Sequence, residues 1–208
     1  MIPALDLLKE RIEKAVTGAK IELLPNPAPA AEASLLVDRD SLVAVMTYLR
    51  DEEDLKFDYL SNLTGVDWPE RVETTKEKDA QTGEEKTVKR TIPGFLEVVY
   101  HLYSMELRHG SLVVRARTEN RTDRVMLPSV FHLWRSADFQ EREVYDLYGI
   151  CFEGHPDLRR LLMWDEFEHH PMRKDYVEPD DYEYEPTPHD EVLVKARRHY
   201  AANEEASS

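Results

Sequence analysis

Cysteine is almost missing from this chain. Cys151 is the single one in 208 residues, so no intramolecular disulfide can form and no Cys-rich structural zinc site can be built. An iron–sulfur cluster normally takes four thiolates, which this chain alone cannot supply. Cys151 lies between Ile150 and Phe152 and reads as a small buried hydrophobe rather than a nucleophile. Long apolar runs are also missing: nothing approaches the roughly 18 consecutive apolar residues of a membrane-spanning helix. The N-terminal MIPALDLLKERIEKAVTG lacks a basic region followed by an apolar core, so it does not read as a secretory signal. The expectation is a cytosolic chain that reaches a membrane only through a partner. Cations are scarce beside anions, 27 Lys and Arg against 42 Asp and Glu, for a net charge of -15. That balance argues against general nucleic-acid binding and against adhesion to anionic lipid, because both need clustered cations. It permits a solvated acidic surface or a basic protein partner.

What is present suffices for a core: 41% of residues are hydrophobic, and one domain with appendages is the expected organisation. Leu5, Leu8 and Ile12 recur on one helical face, with Gly18 as a plausible stop. PNPAPA at 25–30 reads as a loop, and Leu35-Leu36-Val37 as a short strand. A second helix opens at Asp40 or Ser41 and carries the apolar stripe Leu42, Val45, Met46 and Leu49. Residues 57–68 read as a strand interrupted by a turn or bulge. Residues 69–92 have few apolar side chains and read as a solvated loop or loose hairpin. Phe95–Tyr103 and Ser111–Thr118 are strands joined by a connection of hairpin length. Leu96, Val98, Tyr100 and Leu102 share a face of the first. Arg115 and Arg117 on the second reach water or an acidic neighbour. Pro128 precedes a helical piece over Ser129–Trp134.

The fold class expected from this order is α+β, a small mainly antiparallel sheet packed with helices and followed by an extended charged C-terminal segment. Three parts are expected: an α+β domain over 1–135, a helix-turn charged docking segment over 136–177, and an acidic extended tail over 178–208. Tyr182 and Tyr184 could anchor the tail to a partner, and Val192–Tyr200 could form a short helix.

The densest chemistry lies in 139–176, FQEREVYDLYGICFEGHPDLRRLLMWDEFEHHPMRKDY. Asp138 and Glu141 have capping-box spacing, which predicts a helix from about Phe139. Val144, Leu147 and Tyr148 are its apolar face, Arg142 and Asp146 can pair at i,i+4, and Gly149 suits its left-handed end. Ile150-Cys151-Phe152 is extended; Gly154-His155-Pro156-Asp157 is a turn whose Asp157 caps a second short helix bearing Leu158, Leu161 and Leu162. Gly149 and Gly154 have phosphate-loop spacing, but His155-Pro156 stands where Lys-Ser/Thr must grip phosphate. No GxGxxG follows a strand and no Ser sits in a GxSxG elbow. His155, His169 and His170 lack an HExxH or an i,i+4 pair, so a metallohydrolase site competes with histidines that hydrogen-bond locally to fix turns. Glu141 and Glu143 could do acid/base work, or simply favour a helix dipole from its first turn. Arg159-Arg160 and Arg173-Lys174 could hold a substrate anion. They could equally pair with Glu141, Glu143, Asp157 and Asp175, or with acids on a neighbouring protein.

This segment closely resembles the diagnostic stretch of the C subunit of bacterial NADH:quinone oxidoreductase, the counterpart of the mitochondrial complex I 30-kDa subunit. The residues that carry the resemblance are Glu141-Arg142-Glu143, Asp146-Leu147-Tyr148-Gly149-Ile150, Phe152, Gly154-His155-Pro156-Asp157-Leu158-Arg159-Arg160 and Arg173-Lys174-Asp175-Tyr176. With HLWRSADFQERE upstream, the similarity spans about 35–177. His169, Met172 and Val177 depart from the usual Gly, Leu and Pro. The resemblance implies a noncatalytic subunit of the peripheral arm, near the quinone-reducing end. Electrons would pass from NADH through FMN and iron–sulfur clusters in other subunits to quinone, coupled to proton pumping, with no cofactor bound by this chain. The implied partners are the D, B and I subunits, on the cytoplasmic side of the cell membrane. Glu141, Arg142, Glu143, Asp146, Gly149, Gly154, His155, Pro156, Asp157, Arg159, Arg160, Arg173, Lys174 and Asp175 are the candidate partner-interface residues. The alternative within this architecture is the homologous subunit of a membrane-bound hydrogenase-type complex.

Overall fold

The computed structural model describes residues 3–26, 32–78, 85–122 and 125–177. The chain divides into two units, Met1–Lys174 and Asp175–Ser208. Every element below lies in the first, and of the second only 175–177 are described. The expected tail over 178–208, with its tyrosines and short helix, lies outside the described residues, as does most of the Pro/Ala stretch.

The predicted first helix is α1 (Leu5–Ala15), with Leu8 and Ile12 buried. It stops at Val16, which is extended, two residues before Gly18. A bidentate Arg11–Asp54 contact at 2.8 Å ties it to the chain after α2 (Leu42–Asp51). In α2 all four stripe residues, Leu42, Val45, Met46 and Leu49, are buried. It is preceded by a 3-10 turn, Arg39–Ser41, which Asp38 caps by accepting from the Ser41 N–H. The N-cap position of α2 itself is Ser41, one of the two residues expected from the sequence to open it.

Five strands form one sheet in the order β1 (Ile21–Leu24), β2 (Ser34–Val37), β7 (Ser111–Arg117), β6 (Phe95–Tyr103), β3 (Tyr59–Trp68). The fold is α+β as expected, and the pairings in this sheet are antiparallel except β2 with β7. The bulge expected in β3 falls between Leu60 and Asn62. Of the two readings of 69–92, the hairpin is the one found: β4 (Arg71–Lys78) pairs with β5 (Glu85–Ile92).

Leu96, Val98, Tyr100 and Leu102 of β6 are fully buried and join Leu35, Val37, Val114 and the helical stripes in one core. The opposite register of β6 and β7 carries Glu97, Arg115 and Arg117, cross-strand neighbours. Glu97 is buried, and Arg115 and Arg117 each donate to one of its oxygens at 2.8 and 2.7 Å. The two arginines thus reach an acidic neighbour, supplied by the adjacent strand.

Three further elements complete the unit. α3 (Ala137–Tyr148) runs between β8 (Met126–Pro128) and β9 (Cys151–Glu153), which pair in parallel. Parallel strands need a crossover, and α3 provides it. The stretch after Pro128 is not the expected helix. Val130 accepts from the amides of Leu133 and Trp134, a single turn that the Glu141 carboxylate holds through the Val130 amide. Gly65 of β3 lets α3 approach closely: an added Cβ would lie 2.5 Å from the Tyr148 ring. The amide of Leu63 bonds the Gln140 side chain, and Ser136 donates to the Leu60 carbonyl at 3.1 Å. The outer edge of β3 is therefore covered by α3.

Candidate functional site

α3 is the hub of the segment singled out by its charge density. Its N-terminus shows no capping box: the side chain of Ser136, at the cap position, makes no hydrogen bond to the helix's first amides. Glu141 is instead fully buried and accepts from the Ser129 hydroxyl at 2.6 Å and the Val130 amide at 2.8 Å. Burial pushes its carboxyl up to about 7, against the pull of those two bonds, and the nearby Asp138 charge adds to the rise. The Tyr100 hydroxyl in the core interacts electrostatically with Glu141 and is held protonated chiefly by burial. Glu143, two residues along, is exposed and has no hydrogen bond or ion pair among the described residues.

Asp146 organises the chain beyond the helix. Its carboxylate is fully buried, yet one oxygen accepts from three successive amides, Leu161 at 3.0 Å, Leu162 at 2.7 Å and Met163 at 2.9 Å. The other oxygen takes Arg160 at 2.6 Å. Burial favours the neutral acid, but the amides of Met163, Leu162 and Leu161 with the Arg160 guanidinium outweigh it and hold the carboxyl below its ordinary range. This explains two departures from the sequence-based expectation. Arg142 does not pair with Asp146; it donates to the carbonyls of Arg159 and Arg160 at 3.3 and 3.4 Å. Nor does Asp157 open a second helix: residues 158–163 are irregular, because the amides of 161–163 point at Asp146 instead of back along a helix.

The remaining candidates are bound into the same frame. His155 accepts the Asp157 amide at 3.1 Å, and its other ring nitrogen lies 3.2 Å from the Asp138 carbonyl. His170 donates to the Asp146 carbonyl at 2.9 Å, and burial lowers its pKa. His155 fixes its own turn, as the local-bonding reading expects, whereas His170 bonds across 24 residues to the end of α3. Gly149 is left-handed, with φ 77°, and a Cβ there would meet the His170 ring at 2.5 Å. Gly154 is left-handed in the open turn before the exposed Pro156. Arg159 pairs with Asp157 at 2.9 Å on the surface, and Arg173 donates to the Tyr148 carbonyl at 2.6 Å. Asp175 belongs to the second unit. Cys151 is half-buried rather than buried, and burial raises its thiol pKa.

Two functional positions are not foreseen from the sequence. Asp67 at the end of β3 accepts both ends of the Arg121 guanidinium at 2.6 Å and the Lys174 amide at 2.7 Å. It thereby ties the far end of the segment to the sheet. A signal existed: Asp67 lies opposite Leu96, on the core-facing register of β3, where a carboxylate needs a partner. Arg121 gave no comparable signal.

Among the described residues no three His, Cys, Asp or Glu side chains converge as metal ligands. The charged groups brought together here hold backbone. In chemical terms the site is a rigid mount: a helix and two buried carboxylates, Asp146 and Asp67, present an irregular 158–174 segment at the surface. Fold and site together define an α+β module that holds this segment on its surface.

Comparison with known proteins narrows the class. The chain belongs to the respiratory-chain NADH dehydrogenase 30 Kd subunit family, whose model matches residues 35–182. It is 39% identical over 185 residues to the C subunit of an NADH-quinone oxidoreductase from Coxiella burnetii, covering 82% of this chain and 74% of the relative. It is 40% identical over 175 residues to the corresponding C subunit from Legionella pneumophila, covering 79% and 75%. Among solved structures, one from the membrane-bound sulfane sulfur reductase, an archaeal respiratory membrane complex, shares the fold. Its TM-score is 0.57 at 22% identity, over 83% of this chain and 85% of that one.

Proposed function

We propose that the chain is a noncatalytic peripheral-arm subunit of a proton-translocating NADH:quinone oxidoreductase, joined to the membrane through the assembled complex on its cytoplasmic side. The observation that carries this reading is the 39–40% identity to C subunits of NADH-quinone oxidoreductases over about four-fifths of the chain. Electrons pass from NADH through FMN and iron–sulfur clusters in other subunits to quinone, and this chain docks against the D, B and I subunits. A lone half-buried cysteine whose thiol burial keeps protonated supports a role without a redox centre, since cluster ligation needs several thiolates. The mounted 158–174 segment is the part that meets partners.

The test is affinity purification of the tagged full chain from its native membranes. The expected result is co-purification with the flavin- and cluster-bearing subunits and NADH:quinone activity, while the chain stripped from its partners holds neither iron nor flavin. Stoichiometric iron or flavin on the stripped chain, or recovery with hydrogenase subunits in place of NADH-oxidising ones, would overturn the proposal.

A further inference from the structure

We propose that the mounted segment docks by an apolar centre inside an acidic ring, and that its partner presents an apolar surface rimmed by Lys and Arg. The inference rests on the subunit reading above and specifies the chemistry of its contact.

The apolar centre comes from one place on the fold. The amide of Leu162 is held by Asp146 and the amide of Met172 by the Leu147 carbonyl, adjacent residues at the end of α3. Their side chains nonetheless stand out from the surface, 58% and 53% exposed. Trp164, 41% exposed, packs edge-on at 4.7 Å against buried Phe167, with Arg160 at 5.6 Å from the Phe167 ring. Leu162 and Met172 are thus exposed on a frame that fixes their backbone. Leaving them exposed is unfavourable and ordering their backbone is already done, which is how a surface prepared for association is built.

Charge then selects the occupant. The arginines of the segment and of α3 beside it are engaged internally, Arg142 and Arg173 on carbonyls, Arg160 on Asp146, Arg159 on Asp157, while the exposed Lys174 lies over the Trp68 ring at 6.0 Å. Three exposed acids are not so engaged. Glu143 on α3 lies one turn before Leu147, and Glu166 and Glu168 flank Phe167. All three are exposed, without a hydrogen bond or ion pair among the described residues. On a chain of net charge -15 this ring repels acidic surfaces and steers basic ones toward the apolar centre.

The experiment is rebinding of purified full-length chain to membranes from a host lacking its own copy. Leu162→Ser with Met172→Ser is expected to lower recovery in the complex at least tenfold at every salt concentration. Glu166→Lys with Glu168→Lys is expected to lower it at least threefold in low salt, with the gap closing by about 0.5 M salt, where charges are screened within a few ångströms. Circular dichroism and melting of each variant report whether it folds. If the serine variant melts early, a photo-crosslinking residue in place of Leu162 decides instead, and it is expected to capture a partner subunit in the wild-type complex. Wild-type rebinding by both folded variants, or no crosslink from position 162 in an intact complex, overturns the inference. Failure of the unaltered chain to join any multisubunit membrane complex overturns the subunit reading itself.

Discussion

Replacing Asp146 with Asn removes one charge from the centre of the mount and leaves its shape. The carboxylate accepts three amides and one guanidinium within 3.0 Å. Bonds to a charged acceptor are worth about 1.5–3 kcal/mol each, against about 0.5–1.5 for neutral ones. Weakening three amide bonds by about 1 kcal/mol apiece already gives about 3 kcal/mol. Arg160, whose side chain is 12% exposed, is left facing an amide, and breaking a buried pair from one side costs about 3–5 kcal/mol. The two costs do not add, because the segment can detach from α3 and let Arg160 reach water. The expected result is local opening made easier by about 3–5 kcal/mol. Amide hydrogen exchange reads this directly. At about 1.4 kcal/mol per tenfold, the amides of Leu161, Leu162 and Met163 should exchange at least a hundredfold faster in the variant. Those in the centre of β6 should be unchanged. The wild type should show the same opening in acid. A carboxyl held below its ordinary 3.8 contributes stability above that pH and loses it as pH falls through the lowered value. Protection of the three amides within twofold of wild type at neutral pH would refute the reasoning.

Glu141→Gln should act oppositely with pH. A carboxyl raised from 4.5 to about 7 makes folding most favourable below about 4.5 and progressively less so up to about 7, a loss of about 2–4 kcal/mol. The glutamine variant should therefore melt higher than wild type at pH 8 and near it at pH 5; an equal difference at both would remove burial of charge as the cause. Gly65→Ala drives a methyl group to 2.5 Å from the Tyr148 ring, and overpacking of this kind costs about 1–3 kcal/mol, measurable as a lower urea midpoint. Cys151, with its thiol pKa raised by burial, should react with iodoacetamide at pH 8 at least severalfold more slowly than in the urea-unfolded chain. Equal rates would show that the thiol is not shielded.

Much of the frame is legible residue by residue. Alternation places Leu96, Val98, Tyr100 and Leu102 inward, and the helical recurrence does the same for Leu42, Val45, Met46 and Leu49. All eight are buried. Gly149 ends its helix in the left-handed region. What the spacing rules mislead about is the use of polar side chains. Asp138 and Glu141 have the spacing of a capping box, but Glu141 faces Ser129 and Val130 across the core boundary. Arg142 and Asp146 have the spacing of an ion pair, but each finds its partners beyond Asp157. The helix expected after Asp157 loses its amides to Asp146. β1 and its antiparallel pairing with β2 are not foreseen, since strand pairing depends on contacts outside the local sequence.

The sequence by itself marked the segment from Glu141 onward by its resemblance to a family, and determined the elements whose pattern is local: the helical stripes and the alternating strands. Backbone geometry alone imposes those periods, so neighbouring residues reveal them. Only the tertiary structure decided the parallel contact of β2 with β7, the clasp of Asp67 on Arg121 and Lys174, and the choice of Asp146 as partner for Arg160. Each cation has several carboxylates within reach along the chain, and their energies differ little in water. Burial separates them, because a desolvated carboxylate keeps its charge only where enough donors converge, and that convergence is a property of the folded chain.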